Sequence, residues 1–137
     1  MMKPSLSSLP RRAPALGLAF AALWLSAGPA QAGEDTLAAG KALFGARACS
    51  ACHSLEAGRN LNGPSLAGVV GRPVGSVEGY RYSSGLAEAK GAWDKARLDA
   101  WLADPRAMVP GTRMAVKVPS PQERAKIIAY LAAATGR

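Results

Sequence analysis

The stretch CSACH, residues 49 to 53, holds both cysteines of a 137-residue chain and its only histidine. Whatever this chain folds into, all its cysteine and histidine side chains sit within five consecutive positions, and this restricts the chemistry sharply. A disulfide between Cys49 and Cys52 would close too short a loop to gain much entropy. A redox-active dithiol belongs in a strand-helix-strand setting, and strand signals are missing around this motif. A structural zinc ion needs four ligands, and the chain offers three of the usual soft kind.

The remaining reading of C-x-x-C-H is covalent attachment of a c-type haem. On a helix, positions i, i+3 and i+4 share one face. Cys49, Cys52 and His53 have that spacing, so two sulfurs can bond the porphyrin edge while the imidazole reaches the iron. A domain of about 100 residues has only a modest core of its own, and a porphyrin would give it a large apolar centre to wrap.

The chain opens with a basic segment containing Lys3, Arg11 and Arg12. An uncharged apolar run from Ala13 to Ala27 follows, and GPAQA closes the stretch with Ala30 and Ala32. That order describes a secretory signal peptide over residues 1–32, cleaved after Ala32. The apolar run is about 15 residues, short of the roughly 20 that span a bilayer, so no stable membrane insertion is expected after cleavage. The expected mature domain is residues 33–137. It keeps 14 of the 17 Lys and Arg, since three lie in the leader, against all 9 Asp and Glu, a net charge of +5 rather than +8. Export argues against nucleic acid as the target of that charge, and the basic residues form no run of three.

The rest reads as helices and ordered loop. Leu37, Gly40, Leu43 and Phe44 are at helical spacing, with Asp35 or Thr36 as N-cap, and this helix is expected to lead into the cysteine motif. Glu56 to Gly85 is rich in Gly, Pro, Ser and Asn and reads as a long functional loop with one turn near Ser65 to Val69. A helix begins after Asp94, buries Leu98, Trp101 and Leu102, and stops at Asp104-Pro105. The last begins at Ser120 with Pro121 in its first turn and Glu123 completing a capping box. It buries Ile127, Ile128, Tyr130 and Leu131 and ends at Gly136.

Five ordered stretches, GKALFGARACSACH, NGPSLAGVVGR, GYRYSSG with Trp93, DPRAMVPGTRMA and ERAKIIAYL, together resemble a class I c-type cytochrome of the cytochrome c2 and mitochondrial cytochrome c group. The resemblance implies an all-α fold whose first and last helices cross beside the haem, with Gly40 at the crossing and Phe44 near Ile127 and Tyr130. It implies His53 and Met114 as iron ligands, Met108 being outside the matching loop. Pro64 resembles the residue whose carbonyl fixes the histidine. Arg72, Tyr82, Ser83 and Trp93 resemble residues that bond the haem propionates, and Thr112 the hydroxyl beside the methionine. Trp101 and Leu86 stand where many members carry a tyrosine near the methionine sulfur and an asparagine on an internal water, so both are expected to remove polar groups near the haem.

The function implied is a non-enzymatic, monomeric, one-electron carrier of the bacterial periplasm. It would shuttle between membrane respiratory or photosynthetic complexes, such as a cytochrome bc1-type donor and an oxidase or reaction-centre acceptor. A dedicated donor to one enzyme is the alternative, and a five-coordinate gas sensor or peroxidase-like haem would require Met114 not to bind. Arg47, Arg106 and Arg113 are the expected contacts for acidic faces of the partners.

Overall fold

The computed structural model describes residues 29–136. The apolar run and basic start of the expected leader lie outside the described residues. Six helices follow in order: α1 Pro29–Ala46, α2 Cys49–Cys52, α3 Ser84–Glu88, α4 Lys95–Ala103, α5 Pro105–Met108 and α6 Pro121–Thr135. Among the described residues there is no strand, only an isolated bridge between Pro73 and Ala92. None of the described helices is long and apolar enough to cross a membrane.

The frame of the molecule is the crossing of α1 and α6. Gly40 makes it possible, because a Cβ there would lie 2.7 Å from the Cβ of Tyr130 and collide with the Lys126 carbonyl oxygen as well. Any larger residue would drive the two backbones apart. Phe44 packs on Tyr130 with ring centroids 5.8 Å apart, in the range where tilted aromatic pairs attract. Ile127, beside them, is 1% exposed. Helix α4 lays Leu98, Trp101 and Leu102 into the same core.

The expected caps are present, with two differences. Asp94 caps α4, its carboxylate accepting from the Arg97 amide at 2.7 Å. Asp104 ends α4 and also caps the short α5, accepting from the Ala107 amide at 3.1 Å. The Ser120 hydroxyl accepts from the Glu123 amide at 3.3 Å, but the Glu123 carboxylate pairs with Arg47 instead of completing a capping box. A charged partner is the stronger acceptor's choice over a neutral amide. Nor is the first helix capped at Asp35 or Thr36. It already runs from Pro29 through the expected cleavage point, and the Thr36 hydroxyl donates back to the Ala32 carbonyl at 2.8 Å.

A buried arginine that no sequence pattern announced ties the C-terminal half together. Arg124 of α6 is 8% exposed. Its guanidinium meets the Asp99 carboxylate of α4 at 2.7 and 3.2 Å, and donates to the carbonyls of Val118 and Pro119 at 3.0 and 2.8 Å. One side chain thus joins α4, α6 and the end of the loop that follows α5. Lys117, in the same loop, reaches the Asp104 carboxylate at 2.6 Å.

Candidate functional site

The cysteine motif does not continue the first helix. α1 stops at Ala46, Ala48 takes a left-handed conformation at φ 57°, and Cys49–Cys52 makes a separate single turn. The left-handed region is costly for a residue with a Cβ, and such strain is held only where surrounding contacts over-determine it. The break re-aims the motif. His53 leaves the turn in extended conformation, φ −124° and ψ 134°. The expectation of one helix carrying all three residues is corrected accordingly: the cysteines share a turn, and the histidine is the first residue beyond it.

His53 is gripped from two sides. Its Nδ1 lies 2.8 Å from the Pro64 carbonyl oxygen, to which it donates. That bond leaves Nε2 with its lone pair, the form a metal needs. Gly63 lies against the ring: a Cβ there would be 2.7 Å from Nδ1 and 2.9 Å from Nε2. Burial lowers the imidazole's pKa. The Pro64 carbonyl works against that effect and the charge of Arg72 adds to it. Both thiols are free, and burial, the largest influence, raises the pKa of the Cys49 thiol.

All these groups face one cavity of about 530 Å³, within the usual range for cofactor pockets. Its walls are apolar, from Leu66, Val69, Leu98, Leu102, Ile127 and Leu131. Cys49, Cys52, His53 and Pro64 line it from the N-terminal side of the chain, Arg72, Tyr82, Ser83 and Trp93 from the middle, and Thr112 and Met114 from the loop after α5. The structure therefore brings the ten expected cofactor residues to one place. Met108 packs against the core outside the cavity lining.

Two polar atoms test whether a haem suits this cavity. Among the described residues, Arg72 Nε and Ser83 Oγ are buried and lack a hydrogen-bond partner. Buried donors without acceptors are rare and costly, and these two line the cavity beside Tyr82, whose hydroxyl accepts from the Val77 amide at 3.2 Å and retains its own proton. An apolar disc carrying anionic oxygens at its edge fits such a lining: the walls would meet the disc, and the orphaned donors would be available to the oxygens.

Trp101 corrects the expectation that it removes a polar group. Its indole N–H donates to Met114 Sδ at 3.2 Å. Leu86 does line the cavity with an apolar side chain, as expected. Tyr80 and Gly63 also take part, though neither is singled out by the sequence. Tyr80 donates to the Asn62 carbonyl at 2.8 Å and so ties the loop of the 80s to the loop beside His53. For Gly63, the one sequence signal was its position next to Pro64.

The three expected partner arginines separate. Arg47 is ion-paired with Glu123, which compromises it as a free contact. Arg113 lies over the Tyr80 ring at 5.6 Å and donates to the Arg81 carbonyl. Arg106 is exposed at the end of α5 and has no ion pair among the described residues.

A helical cage with a carbonyl-bound imidazole and a two-thiol turn at its wall defines the class: an all-α protein built around a covalently attached haem. Residues 37–135 match the family model described as Cytochrome c, and the chain belongs to that family, with its class I fold. It is similar to "Cytochrome c2 iso-2" of Magnetospirillum fulvum, 45% identical over 84 residues that cover 61% of this chain and 88% of that protein. It is also similar to "Cytochrome c-type cyt cy" of Rhodobacter capsulatus, 42% identical over 105 residues; the match takes in 76% of this chain but spans only about half, 48%, of that longer protein. Among solved structures, cytochrome cH from Methylobacterium extorquens superposes with a TM-score of 0.64 at 41% identity, covering 71% of this chain and 97% of that one. The chain is thus an electron-transfer protein with a covalently bound c-type haem, and not an enzyme.

Proposed function

We propose that this protein is a soluble, monomeric periplasmic shuttle that carries one electron at a time between membrane redox complexes, on a haem held through Cys49 and Cys52 and ligated by His53 and Met114. The observation that carries the ligand assignment is that Met114, and not Met108, lines the same cavity as His53. The haem supplies the one-electron couple of its iron; the chain's own residues hold it and set its energy.

His53, oriented by Pro64, is the firm ligand. Met114 is a soft thioether, and His/Met ligation favours the ferrous state and a high potential. The apolar walls add to this, because an extra positive charge is expensive in low dielectric. Arg72, Ser83, Tyr82 and Trp93 would hold the propionates, with Thr112 beside the methionine, its hydroxyl accepting from the Met114 amide at 3.4 Å. With His53 and Met114 both holding the iron, oxygen and peroxide would find no open site, which favours electron transfer over gas sensing. The leader over residues 1–32 directs export, and cleavage after Ala32 leaves 33–137 as the working domain. Arg106 is the contact best placed for an acidic partner face.

Two measurements test the proposal. Acid-acetone extraction should leave the haem on the polypeptide, and Met114→Ala should abolish the weak far-red band of sulfur-bound ferric haem and lower the potential while Met108→Ala leaves both nearly intact. A larger effect from Met108→Ala would refute the ligand assignment.

A further inference from the structure

Two of the cavity-lining residues, Arg72 and Trp93, are carried by one small backbone ladder. The Trp93 amide donates to the Arg72 carbonyl at 2.9 Å, the Gly71 amide to the Trp93 carbonyl at 2.8 Å, and the Val74 amide to the Gly91 carbonyl at 2.9 Å. An isolated bridge joins Pro73 and Ala92 between them. So short a pairing is marginal by itself, since even a full two-stranded hairpin is barely stable in water. Arg97 of α4 holds it from outside in two ways. Its Nη1 donates to the Lys90 carbonyl at 2.5 Å, at the head of the ladder, and its guanidinium lies over the Trp93 ring at 5.7 Å. Gly91, at φ +87°, leaves room for this, because a Cβ there would be 2.8 Å from Arg97 Nη1. The charge is otherwise uncompensated. Among the described residues Arg97 forms no ion pair, and its buried Nε has no hydrogen-bond partner. Asp94, three residues away, uses its carboxylate on the Arg97 backbone amide instead.

We infer that Arg97 is a positioning residue for the propionate end of the haem site: from outside the cavity it clamps the ladder that carries Arg72 and Trp93, and it keeps an unpaired positive charge against the indole. This rests on the reading above that those two residues hold the propionates. The clamp works at contact range. A cation over an indole face and a charge-assisted bond to a carbonyl both depend on close, directed geometry, so together they fix where the Trp93 ring stands and hold the Arg72 backbone paired to it. The charge works at longer range. It opposes the extra positive charge of ferric haem, and a half-buried cation is screened less than an exposed one. Arg97 therefore favours the ferrous state and raises the potential.

Hydrogen exchange in the ferrous holoprotein, followed residue by residue by NMR, tests the clamp, and the reduction potential tests the charge. In Arg97→Met the Val74 and Trp93 amides and the Trp93 indole N–H should exchange roughly tenfold faster, the worth of one hydrogen bond from a charged donor. The Ile127 and Leu131 amides of α6 should keep their wild-type rates, and the potential should fall. Arg97→Gln is the neutral substitute where the Met variant does not fold. Arg97→Lys keeps the charge but lacks the planar fork that covers the ring, so its potential should stay near the wild type while the ladder still exchanges fast. Wild-type ladder rates in the Met and Lys variants, or an equal acceleration in α6, would overturn the clamp. A neutral variant at the wild-type potential, or a Lys variant as low as the neutral one, would overturn the role of the charge. A Trp93→Phe protein at the wild-type potential would instead strike the propionate reading itself, and this inference with it, whatever the ladder exchange shows.

Discussion

Gly63→Ala is the sharpest test of how His53 is held. The new methyl carbon would lie 2.7 Å from Nδ1 and 2.9 Å from Nε2, where ordinary contact begins at 3.4 Å. The imidazole must retreat or the loop backbone must shift, and either movement pulls Nδ1 from the Pro64 carbonyl now 2.8 Å away. Overpacking of this kind costs about 1–3 kcal/mol, and a lost hydrogen bond about 0.5–1.5 kcal/mol. The sum is roughly 2–4 kcal/mol. At about 4–8 °C per kcal/mol for a domain this size, the melting temperature should fall by on the order of 10–25 °C. Gly71→Ala is the control: Gly71 has φ +87° and nothing within 4 Å of an added Cβ, so it adds backbone strain of about 1–2 kcal/mol and no collision. The assay is thermal unfolding followed by far-ultraviolet circular dichroism, with the haem absorption bands reporting on His53. A Gly63→Ala protein as stable as Gly71→Ala, with unaltered haem bands, would show that the loop yields freely and that Gly63 does not hold the ring.

Charge reversal at Arg106 should slow association with an acidic redox complex several-fold at low salt and leave the potential nearly unchanged. Reversal at Arg47 should instead cost stability, because it sets two carboxylates against each other at Glu123; equal effects on association at both positions would remove the distinction. Lys117, foremost, and the Ala107 amide hold the Asp104 carboxyl below its ordinary range, so the stability it contributes is present above the unfolded carboxylate pKa and is lost as pH falls through the lower folded value. Asp104→Asn should therefore lower stability at neutral pH and flatten its decline below about pH 4, as measured by denaturant midpoints across pH; an unchanged acid limb would refute the assignment.

Much of this protein is legible in its sequence. CSACH pointed to a haem because so few alternatives have their ligands this close together. The caps at Asp94 and Ser120, the helix stop at Asp104-Pro105 and the apolar faces around Phe44 and Ile127 were legible because helix signals are local, set by residues three or four apart. The C-x-x-C-H motif supplied Cys49, Cys52 and His53, the resemblance added seven further expected haem contacts, and all ten line one cavity.

What only the tertiary structure decided depended on partners distant in the chain. Arg47 reads as a free surface charge until α6 places Glu123, 76 residues on, against it. Arg124 reads as an ordinary polar position on a helix until Asp99 and two loop carbonyls surround it. The left-handed turn at Ala48 has no glycine to announce it, and a residue with a Cβ has no local preference for that conformation. Trp101 reads as one more apolar core residue, since nothing in its neighbours says which way an indole turns. Only the crossing of α4 with the loop after α5 aims that N–H at Met114, for a side chain's donor acquires a direction when the core around it is closed.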